Sequence, residues 1–335
     1  MDWLVYIGYI AMVAIIVVLS MKLGKYVDIM DAKSNISGAF IGGVLLAAVT
    51  SLPELFTSLT AVWIVKENEM IIGNILGSDL INLAFFGILI LIFGRGLKTK
   101  KFNPFYYVAL SACCGMYAIV ALGLYLTEYM QFTWFSVASP AILLLYILFV
   151  SKMPKTAEAD NDGKDDDMTL KQAVIRFAIC AVVLIGASIA MTYLTDMVAE
   201  MLGMGATFAG ALFLGIATSL PELISSGTLC FRGNYNAAAG NIIGSNVFNF
   251  AILFVADVFS FMPNSSQIYM RNTESQWLLI LGVIATVITI GMMFVQNKFK
   301  GIGKRNVAAT IAVYTINVCL PVLYIIFLLI STGII

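Results

Sequence analysis

Long apolar runs separated by short charged connectors dominate this 335-residue chain and leave it little choice of fold. A membrane-crossing helix needs about 20 apolar residues to span the hydrocarbon core, and only helices or closed barrels satisfy their own backbone polar groups there. Ten such runs can be drawn, at residues 3–21, 36–64, 70–94, 103–126, 131–151, 169–195, 205–230, 235–262, 276–297 and 307–331. A soluble fold fails on composition: 61% of residues are hydrophobic and 11% charged, against roughly 45–50% and about 25% in soluble domains. The expected fold class is an all-α integral membrane protein of ten transmembrane helices. The first run is long enough to span and lacks a basic leader or small-residue cleavage site, so it reads as an anchor and not a signal peptide.

With ten spans, both termini lie on one face. Placing them outside puts seventeen of the nineteen basic residues on the cytoplasmic side and leaves only Lys66 and Arg271 outside, a strong positive-inside bias. Histidine is absent, which removes His-based nucleophiles, metal sites and proton relays. Cys113, Cys114, Cys180, Cys230 and Cys319 all fall in apolar runs without metal-ligand spacing and read as small buried hydrophobes.

One duplication organises the chain. Residues 49–82 read VTSLPELFTSLTAVWIVKENEMIIGNILGSDLIN and residues 217–249 read ATSLPELISSGTLCFRGNYNAAAGNIIGSNVFN, with one residue of difference in spacing. Each copy occupies the second and third spans of a five-span half, giving halves at 1–151 and 169–335. An odd number of spans per half inverts the second relative to the first, so the copies should face each other across a pseudo-two-fold axis in the membrane plane. Between them, residues 152–168 form an acidic linker, expected to be cytoplasmic. Its aspartates, Asp160 to Asp167, read as a solvated spacer without the EF-hand pattern.

Pro53 and Pro221 interrupt apolar helices, and each frees a carbonyl four residues earlier, near Val49 and Ala217. Such oxygens are tolerated at membrane depth only when protein, water or a ligand satisfies them. Directly after each proline stands a carboxylate, Glu54 or Glu222. A charge there costs a few kcal/mol even on lenient insertion scales and demands a counter-charge. Every lysine and arginine falls in a connector or near a span end, so a mobile cation or a proton is left to supply it. Two carboxylates at the symmetry axis match a divalent ion, and Thr50, Ser51, Thr57, Ser58, Thr218, Ser219, Ser225 and Ser226 offer hard oxygens at helical spacings. On the next helix of each copy, Asn74, Ser78 and Asn82, and Asn241, Ser245 and Asn249, recur every four residues. The serines read as ligands. The asparagines fit ligation and interhelical hydrogen bonding equally, with Gly73, Gly77, Gly240 and Gly244 as close-packing positions. Asp79 adds negative charge beside Ser78, where the second copy has Asn246. Asp257, near the outer end of its span, reads as a solvent-access or interface residue.

The segments Thr50–Glu54 with Gly73-Asn74 to Asn82, and Thr218–Glu222 with Gly240-Asn241 to Asn249, resemble the two alpha-repeats of the sodium/calcium exchanger family within the cation/calcium antiporters. The motifs cover about a fifth of the chain. The resemblance implies alternating access, with calcium on Glu54, Glu222 and the carbonyls of Thr50 and Thr218, and sodium on Ser51, Ser78, Ser219 and Ser245 with the glutamates. Three departures stand out: Val49 and Ala217 replace a frequent glycine, the first copy is one residue longer, and Asn249 stands where some members have aspartate, which argues against potassium co-transport. The proton-coupled branch resembles G-N-x-x-E, whereas Gly77 and Gly244 fill that acidic place here, favouring sodium.

The expected function is calcium/sodium exchange, with no enzymatic activity and no cofactor beyond the transported ions. A calcium/proton antiporter on the same scaffold is the alternative. A passive channel fits inverted halves less well, an intramembrane protease lacks its histidine and Gly-x-Gly-Asp signatures, and a purely structural role needs no buried acids. The expected partners are the lipid bilayer and the ions, with no nucleic acid and no obligate protein. Compact loops point to a prokaryotic plasma membrane.

Overall fold

A computed structural model describes residues 2–33, 46–97, 101–132, 135–152, 168–260, 268–299 and 307–334. Helix accounts for nearly all of them. In chain order the helices are α1 (Asp2–Lys33), α2 (Leu46–Thr50), α3 (Leu52–Thr60), α4 (Glu69–Leu97), α5 (Phe105–Tyr125), a single turn α6 (Thr127–Met130), α7 (Ala138–Ser151), α8 (Leu170–Leu202), α9 (Ala206–Ala209), α10 (Gly215–Phe231), α11 (Tyr235–Val258), α12 (Thr273–Phe299) and α13 (Val307–Ser331). π-helical turns at Ala61–Val65 and Gly210–Leu214 follow α3 and precede α10. Among the described residues a short antiparallel hairpin, Gln131–Phe132 against Phe135–Ser136, is the exception to the all-helical fold.

Among the described residues eight helical segments are long and apolar enough to cross a membrane, and two shorter apolar ones, Leu52–Val65 and Ala138–Ser151, bring the number to the expected ten. Part of the second expected span, 36–45, and most of the linker, 153–167, lie outside the described residues. The fifth span starts later than its apolar pattern suggested, because Gln131–Phe132 and Phe135–Ser136 pair as strands and helix begins only at Ala138.

α4 and α11 carry the motif asparagines and are the most enclosed spans. α4 packs against α10, α11, α12 and α13, and α11 against α2, α3, α5, α7 and α10. α1 and α8 lie along one another at the edge. Their outer faces expose Trp3, Leu4, Ile7, Ile10, Ile179 and Val182, apolar side chains that suit contact with lipid. α8 opens with a Thr169–Gln172 capping box and ends at Gly203 with φ 64°, so both of its ends are fixed locally.

The seam between α4 and the Ala206–Gly215 segment depends on glycine. A Cβ on Gly73 would collide with the Thr207 carbonyl, and one on Gly77 would lie 2.6 Å from Ala211 Cα. Without those side chains the two backbones touch, and Ser78 Oγ comes within 3.4 Å of the Gly215 carbonyl.

Candidate functional site

The two prolines act differently. In the first copy the helix breaks at Ser51, with φ −91° and ψ 12°, and Pro53 sits in the first turn of α3 where its missing N–H is least costly. In the second copy Pro221 lies within the continuous helix α10, and the irregularity falls earlier, at the Gly210–Leu214 π turn. A broken helix was expected at both sites and occurs at one. The Ala217 carbonyl still faces a proline that has no N–H to donate.

From these segments Glu54 and Glu222 enter a common interior, both fully buried and close enough to interact electrostatically. Neither oxygen of Glu54 has a hydrogen-bond donor. The Thr218 hydroxyl faces this carboxylate, but it donates to the Leu214 carbonyl at 2.8 Å. Glu222 Oε1 accepts from Ser51 Oγ at 3.4 Å and Ser245 Oγ at 3.3 Å, while its Oε2 has no partner. Ser51 belongs to the first copy, so the site is shared between the two repeats.

The remaining hydroxyls pair in a two-fold pattern. Thr50 Oγ1 lies 3.4 Å from Ser245 Oγ, and Ser78 Oγ lies 3.5 Å from Thr218 Oγ1. Each link joins the Thr of one copy to the Ser of the other. Ser219 Oγ is buried without a partner. Thr57 and Ser58 are committed elsewhere: Thr57 Oγ1 donates to the Pro53 carbonyl at 2.8 Å, and both hydroxyls accept from Asn74 Nδ2.

The four motif asparagines share one arrangement. Asn74 Nδ2 donates to Thr57 and Ser58, and Asn241 Nδ2 donates to Ser225 and Ser226 at 2.7 and 3.0 Å. Asn82 Nδ2 donates to Asn246 Oδ1 at 2.9 Å, and Asn249 Nδ2 to Asp79 Oδ1 at 3.0 Å. In all four the carbonyl oxygen is buried without a donor. Interhelical bonding and an oxygen presented to the interior therefore coexist in each residue.

Among the described residues nothing basic approaches this interior. Every lysine and arginine whose side chain is described is exposed. A buried interior that holds two carboxylates and several oxygens without donors is the environment a hard cation requires.

The sequence did not single out Asn246 or Tyr117, although both touch Asp79. Asn246 had a signal, since it is the repeat mate of Asp79. Tyr117 had none, because its helix lies outside the motif. Asp257 is 3% exposed and accepts from the Ser136 N–H at 2.8 Å and from Ser139 Oγ, which itself meets Tyr269 Oη at 2.9 Å. It anchors the hairpin to α11, an interface role without solvent access.

A family model described as sodium/calcium exchanger protein matches residues 4–152 and 172–333. An uncharacterised membrane protein of Methanocaldococcus jannaschii, MJ0091, is 24% identical over 288 residues, covering 85% of this chain and 87% of the relative. The fold superposes on the crystal structure of the H+/Ca2+ exchanger CAX with TM-score 0.64, at 13% identity over 98% of this chain and 88% of the other. It also superposes on the sodium-calcium exchanger NCX_Mj with TM-score 0.56, at 18% identity over 97% of this chain and 98% of the other.

Proposed function

The chain belongs to the sodium/calcium exchanger family of membrane transporters, and on that premise we propose that it exchanges calcium for sodium by alternating access at Glu54 and Glu222. The observation that carries this reading is the pair of fully buried carboxylates, three of whose four oxygens lack any donor, in an interior that no described basic side chain enters. A transported cation supplies the missing charge. Calcium is held by Glu54, Glu222 and the Thr50 and Thr218 carbonyls. Sodium uses Ser51, Ser78, Ser219 and Ser245 with the same glutamates, and the carbonyl oxygens of Asn74, Asn82, Asn241 and Asn249 line the approaches.

The working units are the halves 1–151 and 169–335, joined by the cytoplasmic linker 152–168, with both termini outside a prokaryotic plasma membrane. Rocking one half against the other exposes the shared site to each face in turn. The cross-repeat bonds Ser51–Glu222, Thr50–Ser245 and Ser78–Thr218, all between 3.4 and 3.5 Å, are long enough to exchange for ion contacts.

A second reading, calcium/proton exchange at the same glutamates, draws on the fold likeness to CAX. Radiocalcium uptake into proteoliposomes decides between the two. The proposal expects uptake driven by an outward sodium gradient and indifferent to a pH jump. Uptake that ignores sodium and follows the pH jump overturns it.

A further inference from the structure

A third carboxylate stands behind the glutamates. Asp79 is fully buried in α4, ten residues from the start of the helix, or about 15 Å at 1.5 Å per residue, which is half the thickness of a bilayer core. Oδ1 accepts from Asn249 Nδ2 at 3.0 Å, and Oδ2 takes a long contact of 3.5 Å from the Tyr117 hydroxyl. Both donors are neutral. Arg95, the one basic residue on the same helix, lies sixteen residues on, about 24 Å along the axis. Asp79 also lies within electrostatic reach of Glu54, so its charge belongs to the same interior.

Asp79 organises what surrounds it. Its side chain holds the Asn249 amide by the nitrogen, and its backbone carbonyl holds Asn246 Nδ2 at 2.9 Å. Asn246 Oδ1 in turn holds Asn82 Nδ2. Every donor in this chain points toward Asp79, and the carbonyl oxygens of Asn82 and Asn249 are left buried and unpartnered. That is how two amides are fixed as cation ligands. A reversed amide would turn N–H groups to the ion and its carbonyl to a carboxylate.

We infer that Asp79 is a third charge of the ion pathway: it fixes Asn249 directly and Asn82 through Asn246 with their carbonyl oxygens facing the ions, and its own carboxylate adds one monovalent cation to the sodium-loaded state. Two glutamates are neutralised by one calcium or two monovalent ions, and three acids accommodate one monovalent ion more. Asp79 is a positioning and charge-supplying residue, and calcium itself stays with the glutamates. The inference rests on the exchange reading above.

The test is the balance point of exchange in proteoliposomes clamped at zero membrane potential with a tenfold sodium gradient. Each sodium coupled to a calcium multiplies the balancing calcium ratio by about ten. Asp79→Asn keeps the shape of the side chain and a hydrogen bond to Asn249 but removes the charge, so the balancing ratio should fall about tenfold while equilibrium radiocalcium binding persists. The exchange of partners, Asp79→Asn with Asn249→Asp, returns the carboxylate across the same hydrogen bond and should restore the wild-type ratio. The double variant separates loss of charge from misfolding. An unchanged ratio in Asp79→Asn, or no restoration in the double variant, overturns the inference. Wild-type protein that moves calcium without regard to sodium defeats the exchange reading instead.

Discussion

Replacing Glu54 by glutamine should have two effects of opposite sign. The Glu54 carboxylate is fully buried, receives no hydrogen bond and lies within electrostatic reach of Glu222. Glutamine of the same shape removes that charge without breaking any protein hydrogen bond, so the cation-free variant should unfold at a higher temperature than wild type. Calcium binding moves the other way. Removing one partner of a buried charge pair costs roughly 3–5 kcal/mol, which weakens calcium by about 150- to 4,000-fold. The two effects are read together by thermal unfolding in detergent with and without calcium. At a calcium concentration 100 times its dissociation constant, wild type gains about 2.7 kcal/mol by mass action. The variant at the same concentration gains at most about 0.3 kcal/mol. Glu222→Gln should lose calcium similarly but gain less stability in the cation-free state, because Glu222 already accepts from Ser51 and Ser245. Full calcium protection in Glu54→Gln, or a cation-free variant less stable than wild type, refutes the reasoning.

Three further outcomes are expected. Gly73→Ala should destabilise the fold by about 1–3 kcal/mol through overpacking against the Thr207 backbone, whereas Gly186→Ala, in mid-helix with nothing within 4 Å, should stabilise by up to about 1 kcal/mol in thermal unfolding. Ser78→Ala and Ser245→Ala should raise the sodium concentration for half-maximal exchange about 3- to 10-fold, the effect of one hydrogen-bond-sized contact, with a smaller change in radiocalcium binding. Glu67, in the connector before α4, has its carboxyl pushed above the usual value of 4.5 by partial burial and then by Asp196, Glu69 and Glu200. Folding therefore opposes its ionised form, a cost present above the raised value and gone below the unfolded one. Glu67→Gln should stabilise the protein by roughly 0.3 kcal/mol at pH 8, with the gain lost by pH 4 in thermal melts.

What the sequence disclosed follows from what hydrocarbon forbids. Apolar runs must become helices, and a carboxylate such as Glu54 or Glu222 inside one must turn away from lipid, so the fold class and the burial of the two glutamates could be read directly. The duplication exposed the serines and asparagines by their repeated spacing. Local backbone detail was less legible. Identical Thr-Ser-Leu-Pro-Glu segments give a break at Ser51 but an unbroken helix through Pro221, so the local sequence alone does not decide where the helix breaks. Contacts between non-repeated elements left no pattern to follow. Tyr117 against Asp79, and Ser139 with Tyr269 around Asp257, depend on how distant helices meet. The asparagines posed a choice between glue and ligand: the nitrogen of each amide bonds a neighbour, and its oxygen is buried without a partner.

Crystals grown with calcium and examined by anomalous scattering bear most directly on the idea that cargo neutralises the buried acids. One calcium ion should lie between Glu54 and Glu222, with carboxylate oxygens at about 2.3–2.6 Å. A lysine or arginine closing on either carboxylate, or calcium bound away from both, would contradict it.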